Sequence, residues 1–198
     1  MPPEATPLSV VKVGGSLLAD PARLARLLSD LAEGREGAVV VVPGGGGFAD
    51  AVRAAQAIAR FDDGEAHRRA LDAMGRMAAC FVGIEPRLRI AKTLAACRSL
   101  SEAGATPVWD PVMLRAGHPG IAESWAVTSD SLALWLAGEI GARACILEKS
   151  VAVPAGAGPA ELAATGLVDA AFPDFARRFA GRIVVRGPGC AAPDRAAA

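Results

Sequence analysis

Val10-Val11-Lys12-Val13-Gly14-Gly15-Ser16 decides how the rest of the chain is read. Its apolar, β-branched start reads as a strand over about Ser9–Val13, and the glycine pair reads as a tight loop. Asp20 and Pro21 then open a helical pattern over about Pro21–Glu33. Asp20 suits the N-cap and Pro21 the first helical position. The design repeats at once. Ala38–Val42 is apolar throughout, as a parallel strand covered on both faces should be. It runs into Pro43-Gly44-Gly45-Gly46-Gly47 and a second helix ending near Arg60. Two strands that each feed a glycine turn and a helix predict a parallel α/β sheet. Both turns would open at its carboxyl edge, where ligands of such folds bind.

Glycine permits positive φ and lets backbone N–H groups approach an anion. Helix N-termini add further N–H groups and a partial positive charge, and Lys12 supplies a mobile cation. A phosphoryl group is the guest that suits this set. Taken alone, Gly14-Gly15 is equally well a plain βα turn. The four consecutive glycines at 44–47 shift the balance, because ordering them costs backbone entropy that a mere connection would not require. No Gly-Lys-Ser/Thr follows either run, so neither is a Walker A loop. The Gly-x-Gly-x-x-Gly spacing is also absent, which argues against a Rossmann-like oxidoreductase.

The 198 residues suffice for one sizeable core and are marginal for two. A single domain over 1–198 is expected. With 52% hydrophobic residues and 21 basic against 21 acidic, the composition is globular. It gives no reason for a nucleic-acid partner or an acidic membrane surface. Cys80, Cys97, Cys145 and Cys190 form no Cys-x-x-Cys pair and read as reduced, buried small hydrophobes. The Pro-rich start with Glu4 is unlike a signal peptide, and no run reaches about 18 uninterrupted apolar residues. A cytoplasmic location is expected.

A long helix over about Glu65–Phe81 carries His67, Leu71, Met74 and Met77 on related faces. Its Met-rich face is core or a subunit contact, and the apolar helices make a homodimer the expected assembly. His67 becomes a substrate contact if this helix lines the pocket. Gly83–Leu88 reads as a connection, Arg89–Ala103 as a helix and Thr106–Trp109 as a short strand. Trp109 and Trp125 bracket a Pro/Gly loop and would either wall a ligand or cover the core. Val127-Thr128-Ser129-Asp130-Ser131 opens an apolar helix. Thr128 or Ser129 can cap it, and Asp130 can position magnesium or hold Lys12. The strand Ala142–Leu147 ends at Glu148-Lys149-Ser150, which puts Lys149 where a second phosphate-facing cation belongs. A loop over 151–165 with a turn near Pro159–Ala163 follows. A short extended piece at Leu167-Val168-Asp169, a helix over Phe172–Phe179 and a last strand, Arg182–Arg186, come next. Residues 187–198 read as frayed.

Together, Lys12-x-Gly14-Gly15-Ser16, the glycines at 44–47, the Ser129-Asp130 helix start and the final strand through Gly187 resemble the amino acid kinase superfamily over roughly residues 8–187. The resemblance implies a three-layer α/β/α sandwich around a mainly parallel sheet. It implies transfer of a phosphoryl group from ATP, with Mg2+, to a small phosphorylated or carboxylated acceptor. Lys12 would bind the transferring phosphoryl oxygens, and Asp130 would organise the active-site lysines, Lys149 among them. Gly14, Gly15 and Ser16, with Ser129, would line the nucleotide phosphates. Gly44, Gly45 and Gly46 would face the acceptor, joined by His67 and Trp109 on the reading above. Within the family the chain is similar to small kinases of methanofuran-type cofactor synthesis, which phosphorylate an (aminomethyl)furanylmethyl phosphate. Carboxylate, carbamate and nucleotide kinases of the same fold are alternatives. Family members usually carry a Thr-Asp-Val-Asp-Gly-like segment where this chain has Glu148-Lys149-Ser150, and the nucleotide-binding part, about 145–187, is short. A non-catalytic ligand-binding or assembly protein that has lost ATP binding is therefore the rival class.

Overall fold

The computed structural model describes residues 7–188. The expectations about Glu4, Cys190 and the chain end beyond residue 188 lie outside the described residues. The strands are β1 (Ser9–Val13), β2 (Val39–Pro43), β3 (Leu88–Ala91), β4 (Thr106–Trp109), β5 (Ala144–Glu148) and β6 (Arg182–Arg186). They form a six-stranded sheet in the order β3-β4-β2-β1-β5-β6. Every neighbouring pair runs parallel. The helices are α1 (Pro21–Ala32), α2 (Gly46–Ala59), α3 (Asp63–Ile84), α4 (Leu94–Glu102), α5 (Ser129–Glu139), α6 (Pro159–Ala164) and α7 (Phe172–Arg178). This is the α/β sandwich expected, with β1 and β2 central and a packed core on each face. Among the described residues no helix is long and apolar enough to cross a membrane.

The two-residue period of a strand places the chemistry. Val11, Val13, Val39, Val41 and Ile146 pack on one face with Leu24, Leu28 and Leu31 of α1 and Met77 and Phe81 of α3. Val10, Val40, Val42, Cys145 and Leu147 pack on the other with Leu132, Leu134 and Leu136 of α5. Lys12 shares the parity of Val10, and Lys149 that of Leu147. Both lysines therefore emerge on the α5 side of the sheet, while Glu148 emerges on the α1 side. There Glu148 accepts from Arg186 Nε, and Arg186 also donates to Glu36 at 2.7 Å. Buried pairing of this kind ties β5, β6 and the α1–β2 connection together.

Two expectations are corrected. Leu88–Ala91 is strand, not the connection and helix start expected there. The helix begins only at Leu94, capped by the Thr93 hydroxyl, which accepts from Ala96 N at 3.1 Å. As the edge strand, β3 buries only its first and last residues, so its pattern carries little apolar signal. Leu167-Val168-Asp169 is a bend rather than extended chain, and Asp169 reaches the start of α5. Cys97 and Cys145 are buried and free as expected, and Cys80 is half-buried.

Candidate functional site

The glycine turns after β1 and β2 meet backbone to backbone. A Cβ on Gly15 would lie 2.3 Å from Gly46 N, and one on Gly44 would lie 2.6 Å from Gly15 N. Real side-chain carbons do not approach so closely, so only glycine fits. Gly46 also holds φ +50°, in the left-handed region where glycine is unstrained. Gly44 N donates to Val13 O at 2.8 Å, and Gly14 N donates to Glu148 O at 3.4 Å. The loops after three adjacent strands are thereby joined at one rim.

Lys12 and Lys149 converge on this rim with Asp130, from the first turn of α5. Lys12 Nζ lies 2.9 Å from Asp130 Oδ1. Lys149 Nζ donates to both carboxylate oxygens at 2.9 Å. All three side chains are buried. Burial pushes the Asp130 carboxyl up, but the two ammonium groups outweigh it and hold its pKa below the ordinary value. Lys149 is brought down to about 8, first by burial and then by the like charge of Lys12, against the pull of Asp130. One carboxylate between two ammonium groups leaves positive charge to spare for an anion.

Two cavities open here, each of about 280 Å³. The first is walled by Lys12, Lys149, Gly14, Gly44, Ser150 and Gly166, with Ser16 and Ser150 sharing a hydroxyl contact of 2.9 Å. The second reaches away between α2 and α3, past Asp50, Arg53, His67, Met74 and Trp125. Gly15, Ser16, Gly45, Gly46 and Ser129 border both, so the cavities adjoin across the glycine turns. The first is lined by cations, hydroxyls and backbone. The second is more apolar, with polar groups among its lining residues.

Of the residues expected at the site, Lys12, Gly14, Gly15, Ser16, Gly44, Gly45, Gly46, Ser129, Asp130 and Lys149 stand at one rim, and His67 lines the second cavity. Gly44 borders the lysine-lined cavity and not the second one. His67 Nδ1 is 3.3 Å from the Ser124 carbonyl, which can only accept, so Nδ1 carries the proton. Burial pushes the imidazole pKa down and keeps the ring neutral, leaving Nε2 as an acceptor.

Trp109 does not belong to the site, which corrects the expected ligand wall. Its side chain is fully buried and packs on Trp135 at a centroid distance of 5.9 Å. Trp125 is the wall instead. Its indole Nε1 donates to Gln56 Oε1 at 2.7 Å, and the Arg53 guanidinium sits 3.6 Å over its ring. Sequence reading passed over Arg53 and Gln56. Their spacing along α2 from the glycines was the available signal. Asp50, also on α2, lines this cavity too. Thr128 stands at the N-cap of α5, as one of the two residues expected there, but its side chain makes no capping bond. Asp169 supplies the bonds from a distant bend, accepting from Thr128 N at 2.9 Å, Thr128 Oγ1 at 2.8 Å, Ser131 N at 3.0 Å and Ser131 Oγ.

Comparison with known proteins agrees with the fold. Residues 7–83 match the model of the amino acid kinase family. The chain is 27% identical over 144 residues to the [5-(aminomethyl)furan-3-yl]methyl phosphate kinase of Methanocaldococcus jannaschii; the match covers 73% of this chain and 66% of that protein. The uridylate kinase of Archaeoglobus fulgidus superposes with a TM-score of 0.65 at 19% identity, over 90% of this chain and 89% of its own. Aspartate kinase from Synechocystis superposes with a TM-score of 0.70 at 18% identity, over 94% of this chain but 38% of its own. The chain thus has the amino acid kinase fold over nearly its whole length, and its first strands and helices are similar in sequence to that family.

Proposed function

We propose that the chain is an ATP-dependent phosphotransferase whose acceptor is a small anion, an (aminomethyl)furanylmethyl phosphate being the first candidate. The observation that carries this reading is the rim itself. Two ammonium groups on one buried carboxylate face a cavity lined by glycine backbone and hydroxyls, and that cavity adjoins a second one of different character. Donor phosphates fit the first and an acceptor the second.

An acceptor phosphate oxygen would attack the γ-phosphorus in line, forming one P–O bond as the bond to the β-bridging oxygen breaks and ADP leaves. A phosphate dianion is already nucleophilic near neutral pH, so no strong base is required. Lys12, Lys149 and the backbone N–H groups would neutralise charge on the equatorial oxygens, and positioning would supply most of the rest. Among the described residues no three His, Cys, Asp or Glu side chains stand close enough to hold a metal together. Mg2+ would be held mainly by the nucleotide's phosphates, with Asp130 the carboxylate at this rim that would help to position it. In the second cavity, the Asp50 carboxylate and the His67 Nε2 lone pair are acceptors suited to an aminomethyl group.

The test is a panel of phosphate, carboxylate, carbamate and nucleotide acceptors with Mg-ATP, read by ADP release. Transfer to the aminomethylfuran phosphate above all others is expected. Transfer to UMP alone would move the assignment to a nucleotide kinase. The non-catalytic reading draws on one observation: residues 150–158 between β5 and α6 form no helix or strand. It predicts no heat on titration with Mg-ADP, whereas the kinase reading predicts binding. The proposal includes a cytoplasmic homodimer. No residue of α2 is buried, and Ile58 is 84% exposed; light scattering at micromolar concentration tests the assembly.

A further inference from the structure

We propose that Asp169 is a positioning residue for phosphoryl transfer, clasping the first turn of α5 so that Asp130 stays between the two lysines and the two walls of the lysine-lined cavity stay together. The inference rests on the phosphotransferase reading for its effect on rate, but the clasp itself is independent of it.

Asp169 accepts hydrogen bonds from both the backbone N–H and the hydroxyl of Thr128 and of Ser131. Those residues bracket Ser129 and Asp130, so the clasp closes around the site residues without touching them. Free N–H groups in the first turn of a helix need partners, and α5 takes a carboxylate from elsewhere rather than from its own cap residue. A carboxylate at that end also complements the helix dipole. Nearby, Ala171 N donates to Ala126 O at 2.9 Å, which adds a backbone tie between the same segments.

The clasp also spans a cavity. Gly166 and Leu167 line the lysine-lined cavity from one side and Ser129 from another. Asp169 follows Leu167 by two residues and grips Thr128 beside Ser129. Releasing it loosens both walls and leaves the Ala171–Ala126 backbone bond to tie the segments.

Asp169→Ala removes all four bonds. Asp169→Asn keeps an acceptor for Thr128 and for Ser131 N, and its amide can donate to the rotatable Ser131 hydroxyl, so it preserves the clasp without the charge. Asp169→Ala should lower kcat/KM about ten- to a hundredfold and raise KM for Mg-ATP, while Asp169→Asn restores most of the rate. Hydrogen exchange of the Thr128 and Ser131 amides should be slow in wild type and Asp169→Asn and fast in Asp169→Ala. Should Asp169→Ala not fold, the double variant Thr128→Val, Ser131→Ala removes the two hydroxyl bonds and should show the same direction of change. Wild-type rates in a folded Asp169→Ala, or equal damage from Asp169→Asn, would overturn the proposal. If wild type transfers no phosphoryl group but the exchange pattern holds, the kinase reading fails and the clasp stands.

Discussion

The two sides of the rim are built from different material. Around Gly15 and Gly46 the wall is backbone against backbone, with no room for one added carbon. Around Lys149 it is charged side chains brought together from separate segments, with Asp130 and Asp169 arriving from α5 and from the bend after α6. The glycine side is set by atoms and tolerates no bulk. The lysine side is set by charge, and its residues answer to pH and to each other.

Four measurements would break or sharpen that contrast. Lys12→Ala should have the largest effect, a loss of turnover of about a thousandfold, because a cation at the transferring group is removed. The fold should survive, since Asp130 keeps its two bonds to Lys149. Full turnover in a folded variant would remove the phosphotransferase assignment. Next is a glycine pair. Gly15→Ala should cost about 1–3 kcal/mol from overpacking, read as a lower Tm. Gly47→Ala, whose Cβ meets nothing within 4 Å, should be neutral or slightly stabilising. Equal melting of the two variants would show that the glycine wall is not rigid.

Smaller again is Trp125→Ala, expected to raise the acceptor KM about tenfold with kcat little changed, the signature of lost uniform binding. Trp109→Phe should leave KM unchanged, because that ring lies in the core. The smallest effect is in protons. Lys149 titrates near 8 in the folded chain against an ordinary value of 10.5. Between those values the unfolded chain holds the proton that the folded chain has lost, so the contribution of Lys149 to stability rises with pH through this window. Below about 8 the burden of burying a second ammonium is fully present. A bound phosphate reverses the preference, so Mg-ADP binding near pH 8 should take up protons. Calorimetry in buffers of different ionisation enthalpy measures that uptake, and its absence would show that Lys149 does not face the phosphates.

The same contrast explains what could be read before the structure. The glycine side is local: strand, turn and helix follow within a few residues, and β1, β4 and β6 lie where their patterns put them. The parity of Lys12 along β1 already selects its face of the sheet. The lysine side is long-range. Nothing near Asp169 in sequence announces bonds to residues 38 and 41 positions away. Trp109 and Trp125 look alike in composition, and only packing separates a core ring from a cavity wall. Leu88–Ala91 escaped because an edge strand exposing its two middle residues has neither a helical nor a buried-strand pattern.

The close approach of Gly15 and Gly46 has a consequence for anyone who wants to change what this pocket accepts. One side of the second cavity is main chain and offers nothing to exchange. The opposite side is made of replaceable groups: His67, Ala70, Leu71 and Met74 on α3, and Trp125 beyond them. Selection for new acceptors should accumulate on that soft wall and leave the glycines untouched.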